Sequence, residues 1–281
     1  MANIKFAIAQ MNPTVGDLAG NADKIMAWIA QAETNGADLI VFPELALSGY
    51  PIWDLANRPD FVREGLRRMS DILRSTRGKK ISAVIGFVDT GERPDGRSRN
   101  ACAGVSGGKS LRRYSKQLLP TYDVFLEDVF FEAGEGPAMV PWKGRRAGLT
   151  ICEDIWDERY EKKPLRELSR RKSDFVINLS ASPFYAGVDE VRDQLLRGHA
   201  RRYKSPFLYV NQVGAQDDLI FDGQSLFVGA NGKILFRAPA FEEGLFYFNW
   251  EPESSRAERA VPLRPGAFRL PIDIKKRSEE H

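Results

Sequence analysis

Two short runs near the start of the chain, residues 4–9 and 38–42, are almost continuously apolar, the pattern of strands covered on both faces. Between them Ile25, Trp28, Ile29 and Ala32 recur at helical spacing, which predicts a helix over residues 21–34 closed by Gly36. Asn12-Pro13 and Gly16-Asp17 supply the turn before it. Strand, helix and strand inside about forty residues make a βαβ unit. A second helix over residues 60–77 leads to a strand at 81–88. Further strands are expected at residues 100–105, 111–118, 139–142, 147–151, 174–179, 207–213, 224–228, 233–236 and 244–248, with helices at 165–172 and 189–204. No internal repeat stands out, and no linker occurs before Pro252. The expectation is an α/β chain with two packed mixed sheets flanked by helices, one domain over residues 1–252 and a charged tail over 253–281.

Composition removes several classes. The chain has 281 residues, 43% of them hydrophobic and 28% charged, and a formal charge of +3, so it is neither disordered nor fibrous. So small a charge gives no reason to expect nucleic acid as a partner. No apolar stretch reaches the roughly 18 residues of a membrane span, and the first ten residues are no signal peptide. Cys102 and Cys152 form no disulfide framework, which fits a reducing compartment and predicts a cytoplasmic protein.

Candidate chemistry gathers at strand ends, where open α/β sheets place ligands. Glu44 follows Phe42-Pro43 directly. Cys152 follows the apolar strand at 147–151 and is itself followed by Glu153, Asp154 and Trp156. Lys116 lies towards the end of the strand that begins near Leu111. Cys102, between two alanines, reads as core. The chain has two histidines, the terminal His281 and His199. His199 stands among Arg197, Arg201 and Arg202, so it reads as a surface residue and a Cys–His dyad is not expected. The base must then be a carboxylate, with Glu44 best placed. An ammonium such as that of Lys116 favours thiolate over thiol and can stabilise an oxyanion, and a carboxylate can carry the proton to a leaving amine and then activate water. Acyl transfer from an amide or nitrile needs this set. No metal-ligand cluster, Walker loop or Gly-x-Gly-x-x-Gly follows a strand, so no metal and no cofactor is expected.

Three segments carry a resemblance. Ile-Val-Phe-Pro-Glu-Leu-Ala-Leu-Ser-Gly-Tyr-Pro at residues 40–51, Lys-Gln-Leu-Leu-Pro-Thr-Tyr at 116–122 and Leu-Thr-Ile-Cys-Glu-Asp-Ile-Trp at 149–156 resemble, in order, the signature segments of the nitrilase superfamily. That resemblance implies a four-layer αββα sandwich hydrolysing carbon–nitrogen bonds with a Glu–Lys–Cys triad. Ser-Ala-Ser-Pro-Phe-Tyr-Ala-Gly at 180–187, residues 209–218 and Phe-Asp-Gly-Gln-Ser at 221–225 bring it closer to one branch, the glutaminase domains of glutamine-dependent NAD synthetases. By the resemblance Glu44 is the general base, Lys116 the oxyanion stabiliser, Cys152 the nucleophile and Glu127 an auxiliary glutamate. Tyr122, Glu153 and Ser182 stand at substrate-holding positions. The branch usually has a basic residue where this chain has Val188. Arg192, one turn further along the helix, could reach the same place or could instead be solvated.

The resemblance implies a small amide as substrate, glutamine first, and a thioester intermediate releasing ammonia. It further implies a homo-oligomer, dimer or higher, and an ammonia-accepting synthetase as a possible partner. Another amidase or N-carbamoyl hydrolase is the alternative, and a non-catalytic subunit docked on a synthetase is a third reading. The branch's ATP-binding loop is missing from this sequence, which predicts a free-standing paralogue, a separate subunit or a piece of a longer enzyme. The aromatic stretch at residues 125–131 reads equally as a lid, an interface or core.

Overall fold

A computed structural model describes residues 3–92 and 96–252; the tail expected over 253–281 lies outside the described residues. Fourteen strands and five α-helices follow one another in these residues. The first half runs β1 (Ile4–Gln10), α1 (Leu18–Thr34), β2 (Leu39–Val41), α2 (Pro59–Ser75), β3 (Ser82–Asp89), β4 (Arg99–Ser106), β5 (Lys109–Ser115) and the single-turn α3 (Glu127–Phe130). The second runs β6 (Ala138–Trp142), β7 (Arg145–Ile151), α4 (Pro164–Arg170), β8 (Phe175–Ser180), α5 (Val188–Tyr203), β9 (Phe207–Asn211), β10 (Val213–Gln216), β11 (Leu219–Asp222), β12 (Leu226–Val228), β13 (Ile234–Arg237) and β14 (Gly244–Trp250).

The strands form two six-stranded sheets, in the orders β14-β1-β2-β3-β4-β5 and β13-β12-β9-β8-β7-β6, with β10-β11 as a separate hairpin. Each sheet has three parallel strands at its centre, β1-β2-β3 and β7-β8-β9, extended outwards by antiparallel neighbours. The two halves thus share one plan, β-α-β-α-β, which is invisible as a sequence repeat because only the pattern of burial is duplicated.

Strand periodicity builds the layers. On β1, Phe6 and Ile8 point to the opposite side of the sheet from Ala7 and Ala9. Phe6 and Ile8 join Val41, Leu149, Ile151, Ile177, Leu179 and Phe227 in the core between the sheets. Ala7 and Ala9 pack with Ile25, Ile29 and Met69 beneath α1 and α2. On the far side Leu168, Leu196 and Ala200 of α4 and α5 cover Val176, Phe207 and Tyr209. Three apolar interfaces separate four layers, which is the expected αββα sandwich.

The structure refines several expectations. β5 ends at Ser115, so Lys116 stands just beyond the strand. The hairpin β10-β11 replaces the loop expected before residue 224, because Asp217 takes the left-handed turn conformation, φ +50°. His199 is not a surface residue: it is 6% exposed, and its Nε2 lies 2.6 Å from the Ile155 carbonyl oxygen. The charge cluster around it occupies the outer side of α5, whereas His199 faces inward and stacks with Tyr203 and Phe207. Within 125–131, Phe131 is core while Leu126 and Val129 are about half exposed. No described helix is long and apolar enough to cross a membrane.

Candidate active site

The chain leaves β2, β5, β7 and β8 at the same edge of the sandwich. The parallel pairs β1-β2 and β7-β8 fix two directions, and β5, two antiparallel steps from β3, runs the same way as β3. Glu44 follows β2, Lys116 follows β5, Cys152 follows β7 and Ser182 follows β8. Strand direction sets each pair at one end of its own sheet, and the bonds from Ala181 to Glu44 and from Gln117 and Leu118 to Asp154 join the two ends.

Lys116 is the hub. Its Nζ donates to Glu44 Oε1 at 2.8 Å and to Glu127 Oε1 at 2.8 Å, and all three residues are buried. Glu44 is held further by Asn100 Nδ2 on Oε1 at 2.7 Å and by the Ala181 N–H on Oε2 at 2.8 Å. Tyr50 donates its hydroxyl to Glu127 Oε1 at 2.9 Å. Cys152 opens a short 3-10 turn, Cys152–Ile155, with φ +37°, a left-handed conformation rare for a side-chain-bearing residue. That strained turn swings the side chain out of the strand and into the field of Glu44, Lys116, Glu153 and Glu127.

Burial sets the charges. It pushes the Cys152 thiol well up, Glu44 adds to the push, and Lys116 opposes it. Burial and Glu44 thus outweigh Lys116 and favour the thiol over the thiolate, so attack by this sulfur calls for a base. Burial alone would depress the Lys116 ammonium, but Glu127 and Glu44 outweigh burial and hold it well above its ordinary range. Glu127, buried beside Glu44, is pushed up to about 7 despite Lys116.

A second cluster adjoins the first. Glu153 Oε1 accepts the hydroxyls of Tyr122 at 2.9 Å and Tyr160 at 2.8 Å, and burial raises its carboxyl. Ser182, 7% exposed, donates its N–H to Asn211 Oδ1 at 2.9 Å. Arg192 is not solvated: it is 2% exposed. Its Nη1 grips both oxygens of Asp222 at 2.7 and 2.8 Å, Nη2 donates to the Ser182 and Pro183 carbonyls at 2.9 Å each, and Nε reaches Ser182 Oγ at 3.3 Å. All three guanidinium nitrogens are thus engaged within the protein. Val188 is buried at the first position of α5.

Sequence reasoning missed Tyr50, Asn100, Tyr160, Asn211 and Asp222. Tyr50, Asn211 and Asp222 lie inside segments that carry the resemblance, yet each of the five acts on a candidate residue, and its role shows only when that partner is placed beside it. Among the described residues no group of three His, Cys, Asp or Glu is arranged to hold a metal ion.

The αββα sandwich thus sets a cysteine in a left-handed turn within the field of a buried Glu–Lys–Glu chain. The family model for carbon-nitrogen hydrolases matches residues 5–259, and the chain belongs to that family. It is similar to the glutamine-dependent NAD(+) synthetase of Synechocystis sp., 39% identical over 259 residues covering 88% of this chain and 46% of that protein. The glutamine-dependent NAD(+) synthetase of Thermotoga maritima is likewise 39% identical, over 94% of this chain and 45% of that protein. The chain therefore spans about half the length of the curated relatives it matches. Among solved structures, a glutamine-dependent NAD+ synthetase from Acinetobacter baumannii superposes with TM-score 0.83 and 34% identity over 94% of this chain and 49% of that one. A nitrilase-superfamily amidase from Nesterenkonia superposes with TM-score 0.76 and 25% identity over 90% and 92% of the two chains.

Proposed function

We propose that the chain hydrolyses a small carboxamide, L-glutamine first among candidates, through a thioester on Cys152, with Glu44 as general base, Lys116 as oxyanion stabiliser and Glu127 as auxiliary acid. The observation that carries this is the Lys116 ammonium shared between two buried carboxylates beside a strained cysteine. Burial favours the thiol over the thiolate, so Glu44 removes the thiol proton as sulfur attacks the carbonyl carbon. An ammonium has three N–H donors and two are taken by Glu44 and Glu127; the third is available to the oxygen that becomes negative. Collapse breaks the carbon–nitrogen bond, Glu44 returns the proton, and ammonia leaves. Water, deprotonated by Glu44, then attacks the thioester and releases the acid and the thiol.

Tyr122, Glu153 and Ser182 form the substrate side of the site in this reading. Arg192 shapes it at one remove, by fixing the Ser182–Pro183 carbonyls. Two observations favour a second reading, an amidase or N-carbamoyl hydrolase for another small substrate: Val188 replaces the usual basic residue, and the Arg192 guanidinium is held by Asp222, Ser182 and Pro183. Ammonia release from glutamine, asparagine, simple ω-amides and N-carbamoyl compounds separates the two. Equal release by wild type and Cys152→Ala refutes both. The likeness to NAD synthetases supports two accompanying proposals, a homo-oligomer and delivery of ammonia to a synthetase, in a cytoplasmic setting.

A further inference from the structure

Asp154, two residues past Cys152, is 0% exposed. A buried carboxylate is costly unless every lone pair is used, and here four hydrogen bonds use them. Oδ1 accepts the backbone N–H groups of Gln117 at 3.1 Å and Leu118 at 3.0 Å, the two residues after Lys116. Oδ2 accepts the hydroxyl of Tyr114 at 2.8 Å, two residues before Lys116, and the N–H of Ile151 at 2.8 Å, immediately before Cys152. One side chain therefore brackets the lysine from both sides and closes the turn that carries the sulfur.

The need for such a clasp follows from topology. Lys116 leaves β5 in one sheet and Cys152 leaves β7 in the other. Sheets packed through apolar side chains have no ladder of hydrogen bonds between them, so a ladder cannot fix the separation of ammonium and sulfur. We propose that Asp154 is a positioning residue that ties the Cys152 turn to the Lys116 segment and sets their separation. The proposal rests on Cys152 and Lys116 having the roles given above. Charge-assisted bonds from two backbone segments are stiff enough for the task, and a misplacement of about 1 Å at a reacting group costs on the order of a hundredfold in rate.

Asp154→Asn tests one half of the clasp. Asparagine keeps an oxygen for Gln117 and Leu118, and its amide can donate to the Tyr114 hydroxyl, but it presents a donor to the Ile151 N–H. The bond lost is the one on the cysteine side. On the amide that wild type turns over best, kcat should fall about 30- to 100-fold with KM within about threefold, as expected for misplaced groups in an intact pocket. Alkylation of Cys152 by iodoacetamide should slow in parallel, while circular dichroism and cooperative unfolding stay native-like. A folded variant with kcat and alkylation within about twofold of wild type overturns the proposal. If Asp154→Asn does not fold, Tyr114→Phe decides: removing one bond of four should lower kcat about three- to tenfold at unchanged KM, and a wild-type kcat overturns the proposal. Should wild type hydrolyse no amide at all, the proposed function fails, but the alkylation ratio still judges Asp154 by itself.

Discussion

Lys116 Nζ and Glu44 Oε1 lie 2.8 Å apart across 72 residues of sequence, and neither side chain is more than 1% exposed. A pair buried this deeply is held by mutual need: removing one partner leaves the other charged in a medium that cannot solvate it. Lys116→Met keeps the volume and strands both Glu44 and Glu127. It should cost about 3–5 kcal/mol of stability in urea unfolding and leave no measurable ammonia release. A variant as stable as wild type would show that the carboxylates are solvated from elsewhere.

Glu127 gives the site a pH signature. Burial raises its carboxyl from 4.5 to about 7 in the folded protein. A raised folded-state value means stability that is complete below about pH 4.5 and lost as pH rises through about 7. Asp154, raised by burial to about 6, acts in the same direction. His199, depressed by burial, acts in the opposite one, losing stability as pH falls. Comparison with Glu127→Gln cancels the last two. The stability of Glu127→Gln relative to wild type should therefore climb between pH 4.5 and pH 7 and level off above, as read from urea midpoints at constant ionic strength. A flat difference means that folding leaves the Glu127 carboxyl at its ordinary value.

The two cysteines should part company towards electrophiles. Both thiols are pushed up by burial, so neither is a standing thiolate. Cys102 lies in the middle of β4, 0% exposed, paired across the ladder with Tyr114. Cys152 sits at a strand exit with Glu44 and Lys116 in its field. Iodoacetamide followed by peptide mass mapping should modify Cys152 at least about tenfold faster than Cys102, because access and an available base govern the rate. Comparable rates would mean that the exit turn gives the sulfur no advantage.

Much of this site is legible in the sequence, and the reasons are local. Glu44 and Cys152 both follow buried strands, and a sequence displays that through an apolar run that stops abruptly at a polar residue. The helices α1 and α5 were legible from periodicity. What stayed hidden depends on pairs distant in sequence. Arg192 reads as one more charge on a basic helix, and its partner Asp222 is 30 residues away in a hairpin that no apolar run announces. Tyr50 meets Glu127 across 77 residues. His199 misleads for the same reason, since its arginine neighbours describe the other side of α5. Apolar periodicity reports which face of an element is covered; it carries no label for which polar group waits beneath the cover.

If the proposed function holds, the Glu153 cluster faces the charged end of the substrate. Glu153 Oε1 is engaged by both tyrosine hydroxyls, which leaves the second oxygen to meet a ligand. Tyr122 is half exposed, so the cluster stands between the buried chain and solvent. An anionic oxygen placed there suits an amide that carries an ammonium, as glutamine does. Glu153→Gln keeps the shape and removes the charge, and a hydrogen bond to a charged group is worth about 1.5–3 kcal/mol. KM for glutamine should rise about ten- to a hundredfold, with kcat changed less, whereas KM for an uncharged amide of similar length should hold within about threefold. Equal effects on both amides would remove Glu153 from substrate recognition and leave it as a support for the Cys152 turn.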